Sequence, residues 1–587
     1  MTRSRNIFAL PPRADLSERE LARLKPRAMS AWIEQLPASG SRATARALFE
    51  RARILSRSRL PPPQLFESIE ILVSRCHPIS SGIESHLAAK ALPLAREDLR
   101  VADLLYKLRL KIFLVYKRVL DDSRAERGAL RLLHRGLRRR AFHRAQEILF
   151  ELLRNRCQVY RAIPYYHWLE IHSNFEQAVS EGRAEWSQPL LSDDSEKLSI
   201  AALYKQALLF ALAAPQRFRP PEIQRLRLAL RRWVDACHLE RIGDEIDRQR
   251  GPFLVDVNQD RPPVPVAAAE MSHSLAGWYI QTADLAGLVA IEMAEAEQRR
   301  NGNMRDRPLA RPDQLTPSML SSLMLAWGMG ARRHEARGRC HEAVKAVLGF
   351  DDLYAILGGM PLPEDRDDIS LDLATVDSAA WKAQAAALEW NSEMAEVEFV
   401  GKQNLASPED VPVHYFLMCD VGAGGMSICA GDASQSAAHV GEMVGVLSDL
   451  DSSAVSRIGV IRWMRLDKNN RQQCGVEILI EEPRCSMLRI TRKQGAVEYM
   501  PVIYQPPAEG REHILLMTKC VFADANDGFC WCFDGQARPL HLSQMLECAG
   551  GYSLFQVPVS VDAGSQSAWA CKSSNVSAIG CHNGGTS

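Results

Sequence analysis

The stretch "FLMCDVGAGGMSICAGD", Phe416–Asp432, is the one on which the reading of this chain turns. An apolar run ends in Asp420, and Gly422, Gly424 and Gly425 follow within five residues before an apolar run resumes. Two short apolar runs around a glycine-rich break predict two β-strands joined by a turn. Glycines at such a turn let backbone N–H groups approach a ligand where a Cβ would clash. A carboxylate at Asp420 can accept from the N1–H and N2–H2 of a guanine. A guanine-binding turn and an ordinary glycine hairpin both fit. A Rossmann fingerprint does not, because Ser427 holds the place of its third glycine and a strand-like run follows where a helix is required. A Walker loop is excluded because the chain has no GK[ST].

The same style continues on both sides. "HEAVKAVLGF", "SRIGVIRWMRL", "CGVEILI" and "SMLRITRK" are short β-branched or alternating runs, as are "VEYMPVIYQ", "HILLMTKCVFAD", "FCWCFDG" and "YSLFQVPVSV". They predict a small barrel followed by a β-rich extension. Residues 351–410 interrupt them with 14 Asp or Glu against 3 Lys or Arg, a balance of −11. This acidic insertion is expected to be partly helical around "DSAAWKAQAAALEWNSEM". The tail after Gly564 is rich in Ser, Gly and Asn and reads as frayed.

Before Gly330 the period is different. "LYKQALLFALAA" and "EIQRLRLALRRWVDACHLERI" carry apolar residues at spacings of three and four, which predicts stacked amphipathic helices. In "RAERGALRLLHRGLRRRAFHRAQEILFELLR", Leu130, Leu133, Leu137 and Ala141 share a stripe, while Arg124, Arg127, Arg131, Arg135 and Arg138 share another face. That face reads as solvated, with a docking surface for an acidic partner, lipid or RNA as the rival. His167 and His172 in "HWLEIH" are five apart, off the i, i+4 spacing of two ligands on one helix face, and read as packing or surface histidines. "NQDRPPVPV" at 258–266 reads as an extended boundary. One helix is expected over about 274–298. Another opens at Thr316 as N-cap with Pro317 in its first turn, and Gly328 and Gly330 stop it.

Composition narrows the function. Over 587 residues, 46% hydrophobic and 24% charged content are ordinary for a globular protein, and the length is a soft prior for several domains. A formal net charge of +1 gives no global field for a nucleic-acid polymer or a membrane surface. The first residues lack the apolar core of a signal peptide, and no apolar run is long enough to span a bilayer. The expectation is a cytoplasmic protein that is not integral to a membrane. The 14 cysteines include no CxxC pair, so reduced thiols are expected and neither a metal nor a cofactor.

The junction "GARRHEARGRC" sets Arg332, Arg333, Arg337 and Arg339 ahead of the first barrel strand. A guanidinium is a planar fork that takes phosphate or the O6/N7 edge of guanine through two parallel bonds, and it stacks on bases. Arg333 and Arg337 form RxxxR, and Asp420 and Gly425 match the ends of [D/N]xSxxG. In this order, with "IGVIRW" and "CGVEI" following as a later hairpin, they resemble the PilZ domain, a small β-barrel that binds cyclic di-GMP. Gly422 stands where that family usually has serine, and the gap between the motifs is lengthened by the acidic insertion. The helical half, with "YYHWLEIH" and "LYKQALLFALAAPQRF", is similar to that of the long proteobacterial PilZ proteins.

The resemblance implies a multidomain α + β chain: an N-terminal helical, repeat-like scaffold, a PilZ-type β-barrel and a β-rich C-terminal extension. The expected divisions are a helical domain at 1–250, connecting helices at 251–330, the barrel with its acidic insertion at 331–490, the extension at 491–563 and the tail at 564–587. It implies a signal receptor with cyclic di-GMP on Arg332, Arg333, Arg337, Asp420, Gly422 and Gly425. It also implies a protein partner in the type IV pilus machinery, and a place at the cell pole. A ligand-independent scaffold with a degenerate barrel is the alternative. An enzyme is not expected, since the chain carries no Ser/His/Asp or metal motif and no GGDEF or EAL run.

Overall fold

The three-and-four spacing of the first half is realised as helices α1 (Glu18–Ala22), α2 (Pro26–Glu34), α3 (Arg42–Leu55), α4 (Pro62–Ala88), α5 (Arg96–Ala125), α6 (Arg135–Gln158), α7 (His167–Ser180), α8 (Ile200–Leu212) and α9 (Pro220–Trp233). The computed structural model describes residues 6–37, 42–90, 94–125, 134–191, 195–242, 253–266, 277–301, 314–328, 338–359, 410–430, 438–448, 454–467, 471–491, 497–506, 513–519, 528–533, 536–540, 544–549 and 552–558. They form two compact units. Of the described residues, the first holds those within 6–328 and 465–467, and the second holds the others from Gly338 onward.

In the first unit α6 is central, packed on α5, α7 and α8. It is buried despite its charge: Arg138, Arg144, Glu147 and Arg154 all lie inside. Arg154 donates to Glu151 at 2.6 Å and also pairs with Glu84, Arg109 pairs with Glu84, and Arg227 reaches Glu151 at 2.9 Å. Burial alone would raise the Glu84 carboxyl, but the Arg109 and Arg154 guanidiniums outweigh it and hold it below the usual carboxylate range. Removing one member would strand a buried charge, at a cost of roughly 3–5 kcal/mol. Arg138, expected on a solvated face, is buried instead. It pairs with Glu181 and donates to the Leu120 carbonyl at 2.8 Å and the Ser123 hydroxyl at 3.0 Å. Leu130, Leu133, Arg127 and Arg131 lie outside the described residues.

His167 and His172 are packing residues. His167 Nε2 contacts the Leu149 carbonyl at 3.0 Å, and His172 lies between the Tyr204 hydroxyl (2.8 Å) and the Arg261 carbonyl (3.1 Å). A two-stranded ribbon, β1 (Ser187–Pro189) with β2 (Lys197–Ser199), precedes α8. β3 (His238–Arg241), β4 (Phe253–Asp256), β5 (Val264–Pro265) and β6 (Gly277–Gln281) form a sheet in the order β3-β6-β4-β5. The helix expected from about 274 therefore begins later, as α10 (Ala283–Asn301). "GWYIQ" has the aromatic and β-branched character of a strand and pairs with both β3 and β4. α11 (Pro317–Trp327) starts as its spacing predicts, with the Thr316 hydroxyl accepting from the Met319 N–H at 3.2 Å, and Gly328 ends it.

The second unit opens with β7 (Gly338–Arg339), β8 (Ala343–Leu348), β9 (His414–Gly422), β10 (Gly425–Ala430), β11 (Met443–Leu447), β12 (Val455–Leu466) and β13 (Gln472–Glu481). The order β10-β13-β12-β11-β8-β9 closes on itself through β9–β10, giving a six-stranded barrel. The acidic stretch begins as α12 (Phe350–Ile356), whose Leu353 and Tyr354 are fully buried with Val347, Met443 and Ile458. Residues 360–409, with the helix expected there, lie outside the described residues. The tail after Gly564 does too.

β14 (Arg484–Thr491), β15 (Val497–Tyr504), β16 (His513–Thr518), β17 (Gly528–Phe533), β18 (Gln536–Leu540), β19 (Gln544–Ala549) and β20 (Tyr552–Pro558) form an antiparallel sheet in the order β18-β17-β14-β15-β16-β20-β19. Its Ile503, Met517, Tyr552 and Leu554 share one core with the barrel's Ile458, Val460 and Ile480. Arg462 of β12 clamps the two together, donating to Glu547 at 2.7 Å. The α + β order of helices, barrel and further sheet is the one expected.

Candidate functional site

β9 and β10 are joined by two residues, Ala423 and Gly424, with Gly422 opposite Gly425, Val421 opposite Met426 and Asp420 opposite Ser427. The next pair is Met418 with Ile428, so Cys419 has no counterpart. That extra residue is a β-bulge. Below it, Phe416 faces the barrel interior with Ile428 and Ala430, while Tyr415 (64% exposed) and Leu417 (41%) face out. Unbroken alternation would send Asp420 inward with Phe416. The bulge reverses the phase and turns Asp420 to the outer face, beside Ser427.

Ser427 Oγ donates to Asp420 Oδ2 at 2.8 Å, and Ser427 is fully buried, so the carboxylate is held in one orientation. In the sequence Ser427 figures only as the break in a GxGxxG pattern. The signal for its role is register: a two-residue loop at 423–424 makes 420 and 427 opposite numbers.

β7 pairs antiparallel with the same end of β9, with Gly338 opposite Val421 and Arg339 opposite Asp420, and the Cys340 N–H donates to the Cys419 carbonyl at 3.2 Å. Opposed Cα atoms in such a ladder are about 4.5–5.5 Å apart. The backbone that follows Arg337 is thus fastened beside Asp420. Arg332, Arg333 and Arg337 themselves lie outside the described residues.

The three glycines differ. A Cβ on Gly425 would collide with the Val476 carbonyl oxygen of β13, so this glycine serves the barrel's own strand packing. A Cβ on Gly424 would meet open space, so packing gives no reason for glycine there. Gly422 is a residue of β9 in extended backbone. Among the described residues, no group of three His, Cys, Asp or Glu is placed to hold a metal, and no helix is long and apolar enough to cross a membrane.

A six-stranded barrel closed in this way, with a strand-end carboxylate turned outward, is a PilZ-type barrel. Residues 252–484 match the family described as "Cyclic-di-GMP receptor FimW, middle PilZ domain", and residues 27–245 match "Cyclic-di-GMP receptor FimW, N-terminal domain". The chain belongs to the FimW family of cyclic di-GMP receptors. It is 23% identical over 511 residues to the cyclic-di-GMP receptor FimW of Pseudomonas aeruginosa, an alignment that covers 82% of this chain and 81% of the relative. No solved structure matches it.

Proposed function

We propose that the chain binds cyclic di-GMP at the β9–β10 hairpin and passes occupancy to its helical unit, which presents a changed surface to a protein of the type IV pilus machinery. In this reading Arg332, Arg333 and Arg337 take the phosphates and stack on a base, Asp420 accepts from a guanine edge, and Gly422 keeps the turn open to the ligand, while Gly425 beside it lets β10 pack close on β13. The site of action is the cytoplasm at the cell pole, in pilus assembly or surface-attachment motility. The observation that carries the ligand assignment is the pairing of β7 with β9, which fastens the chain next to Arg337 against Asp420. The pilus assignment rests on the family resemblance alone.

Calorimetry of the full chain with cyclic di-GMP tests the ligand. Charge-assisted hydrogen bonds contribute roughly 1.5–3 kcal/mol each. Arg333→Ala or Arg337→Ala should weaken binding about tenfold or more. Lysine at either position should rescue little, since it lacks the fork. Unchanged binding in the double alanine variant would remove these arginines from the site. Absence of binding by the wild type would favour the ligand-independent scaffold, a reading that Gly422 in place of serine keeps open.

A further inference from the structure

The turn that carries the motif also walls a second feature. Ala423 lines a cleft of about 450 Å³, whose lining includes Glu481 at the end of β13 and Gln505, His513, Leu515 and Gln556 of the C-terminal part of the chain. Gln505, His513, Leu515 and Gln556 come from beyond residue 484, where the family match ends. The two walls are held in fixed relation, because the sheet shares the barrel's core and is clamped to it by Arg462 and Glu547. The turn is fastened to β13 as well, the Ile478 N–H donating to the Gly424 carbonyl at 3.1 Å.

We propose that this cleft takes a purine base of the bound dinucleotide, so that the C-terminal sheet is part of the receptor site. The inference rests on the cyclic di-GMP reading above. Small-molecule pockets usually span about 300–1,000 Å³, and this cleft has that size, with a lining somewhat more polar than apolar. Leu515 and Ala423 offer faces for a ring, and the exposed Glu481 carboxylate is an acceptor suited to adjacent N–H donors on the Watson–Crick edge of guanine. The Gln505 amide can donate to O6 or N7. Cyclic di-GMP carries two guanines, and Asp420 can serve only one. The bare backbone at Gly424, with open space where a Cβ would stand, lets the ligand pass over the turn from Asp420 to the cleft.

The test is calorimetry of the full chain with cyclic di-GMP and cyclic di-AMP, on wild type, Glu481→Gln and Gln505→Ala. Both substitutions lie on the walls of an open cleft, and melting curves without ligand establish that each variant folds. Glu481→Gln should weaken cyclic di-GMP binding roughly tenfold and narrow its preference over cyclic di-AMP by a similar factor. Gln505→Ala, on the opposite wall, should weaken binding severalfold. If both variants bind cyclic di-GMP within about twofold of wild type, the cleft is not a base site and the receptor reading stands. If wild type binds neither dinucleotide, the receptor reading itself fails, and the inference with it.

Discussion

Asp420 owes its outward direction to Cys419, which has no counterpart on β10, and its orientation to Ser427. Its role in the proposed site can be separated from its role in the fold. Asp420→Asn should weaken cyclic di-GMP binding about tenfold while moving the melting temperature of the free protein little, because the amide oxygen can still accept from the buried Ser427 hydroxyl. Gly425→Ala is the contrasting variant. Its Cβ meets the Val476 carbonyl, and such overpacking costs about 1–3 kcal/mol, so the free protein should melt lower. Should the two variants lose stability equally, Asp420 is a structural cap and not a ligand group. Gly422 offers the opposite experiment. Gly422 lies in the extended backbone of β9, and Gly422→Ser adds the hydroxyl usual in the family. One added hydrogen bond is worth about 0.5–1.5 kcal/mol, or severalfold tighter binding in a paired titration and melt. Weaker binding with a lower melting temperature would mean that this turn does not superpose on the family's.

Elements with a clean period are legible in the sequence: the helices of the first half, the Thr316 cap of α11, the β12–β13 hairpin and the strands around Asp420. Three features are not. The bulge at Cys419 leaves no compositional trace, since one extra residue in an apolar strand looks like a longer strand. The burial of α6 is hidden because its charges are neutralised by Glu84 and Glu181, which lie on other elements, as well as by Glu151 within the helix. The third is the cap of α7. Tyr166 at its N-terminus has φ +72° and no side-chain acceptor, so the sequence there shows no start signal. The cap comes from Asp260, whose carboxylate accepts from the N–H groups of Tyr166, Trp168 (3.0 Å) and Leu169 (3.3 Å), and lies 92 residues from Trp168. Losing an N-cap costs about 0.5–2 kcal/mol. Asp260→Ala should lower stability by that amount in denaturant titration, and Asp260→Asn by less, since the amide oxygen still accepts. A neutral Asp260→Ala would show that the loop bearing it is held by other contacts and that the α7 N-terminus is satisfied without it.

At the scale of the whole molecule, buried titratable groups tie the helical unit to pH. Burial pushes His143 down to about 3 and His167 and His172 down to about 4, from an ordinary value of 6.5. Each is neutral in the folded chain and becomes charged on unfolding once the pH is below 6.5. Their stabilising effect is therefore full above 6.5 and is lost as pH falls toward 4, by up to roughly 3 kcal/mol per histidine. Glu147 acts in the opposite sense. Burial lifts its carboxyl to about 7 against the pull of Arg144, so its contribution is full below the unfolded value of 4.5 and is lost as pH rises through 7. The three histidines outweigh the one carboxyl, and net stability should fall on acidification from pH 6.5 to 4. Far-ultraviolet circular dichroism melts across that range follow mainly the helices of the first unit, where all four groups sit. Glu147→Gln should steepen the acid limb, because the carboxyl no longer opposes the histidines between 4.5 and 6.5, and should flatten the curve from 6.5 to 7. His172→Phe, whose ring can keep the stack on Trp168, should reduce the acid slope, although it gives up the bonds to Tyr204 and the Arg261 carbonyl and starts from a lower plateau. A melting temperature that stays level between pH 6.5 and 4 in the wild type would mean that these imidazoles are charged, or already exposed, in the folded chain.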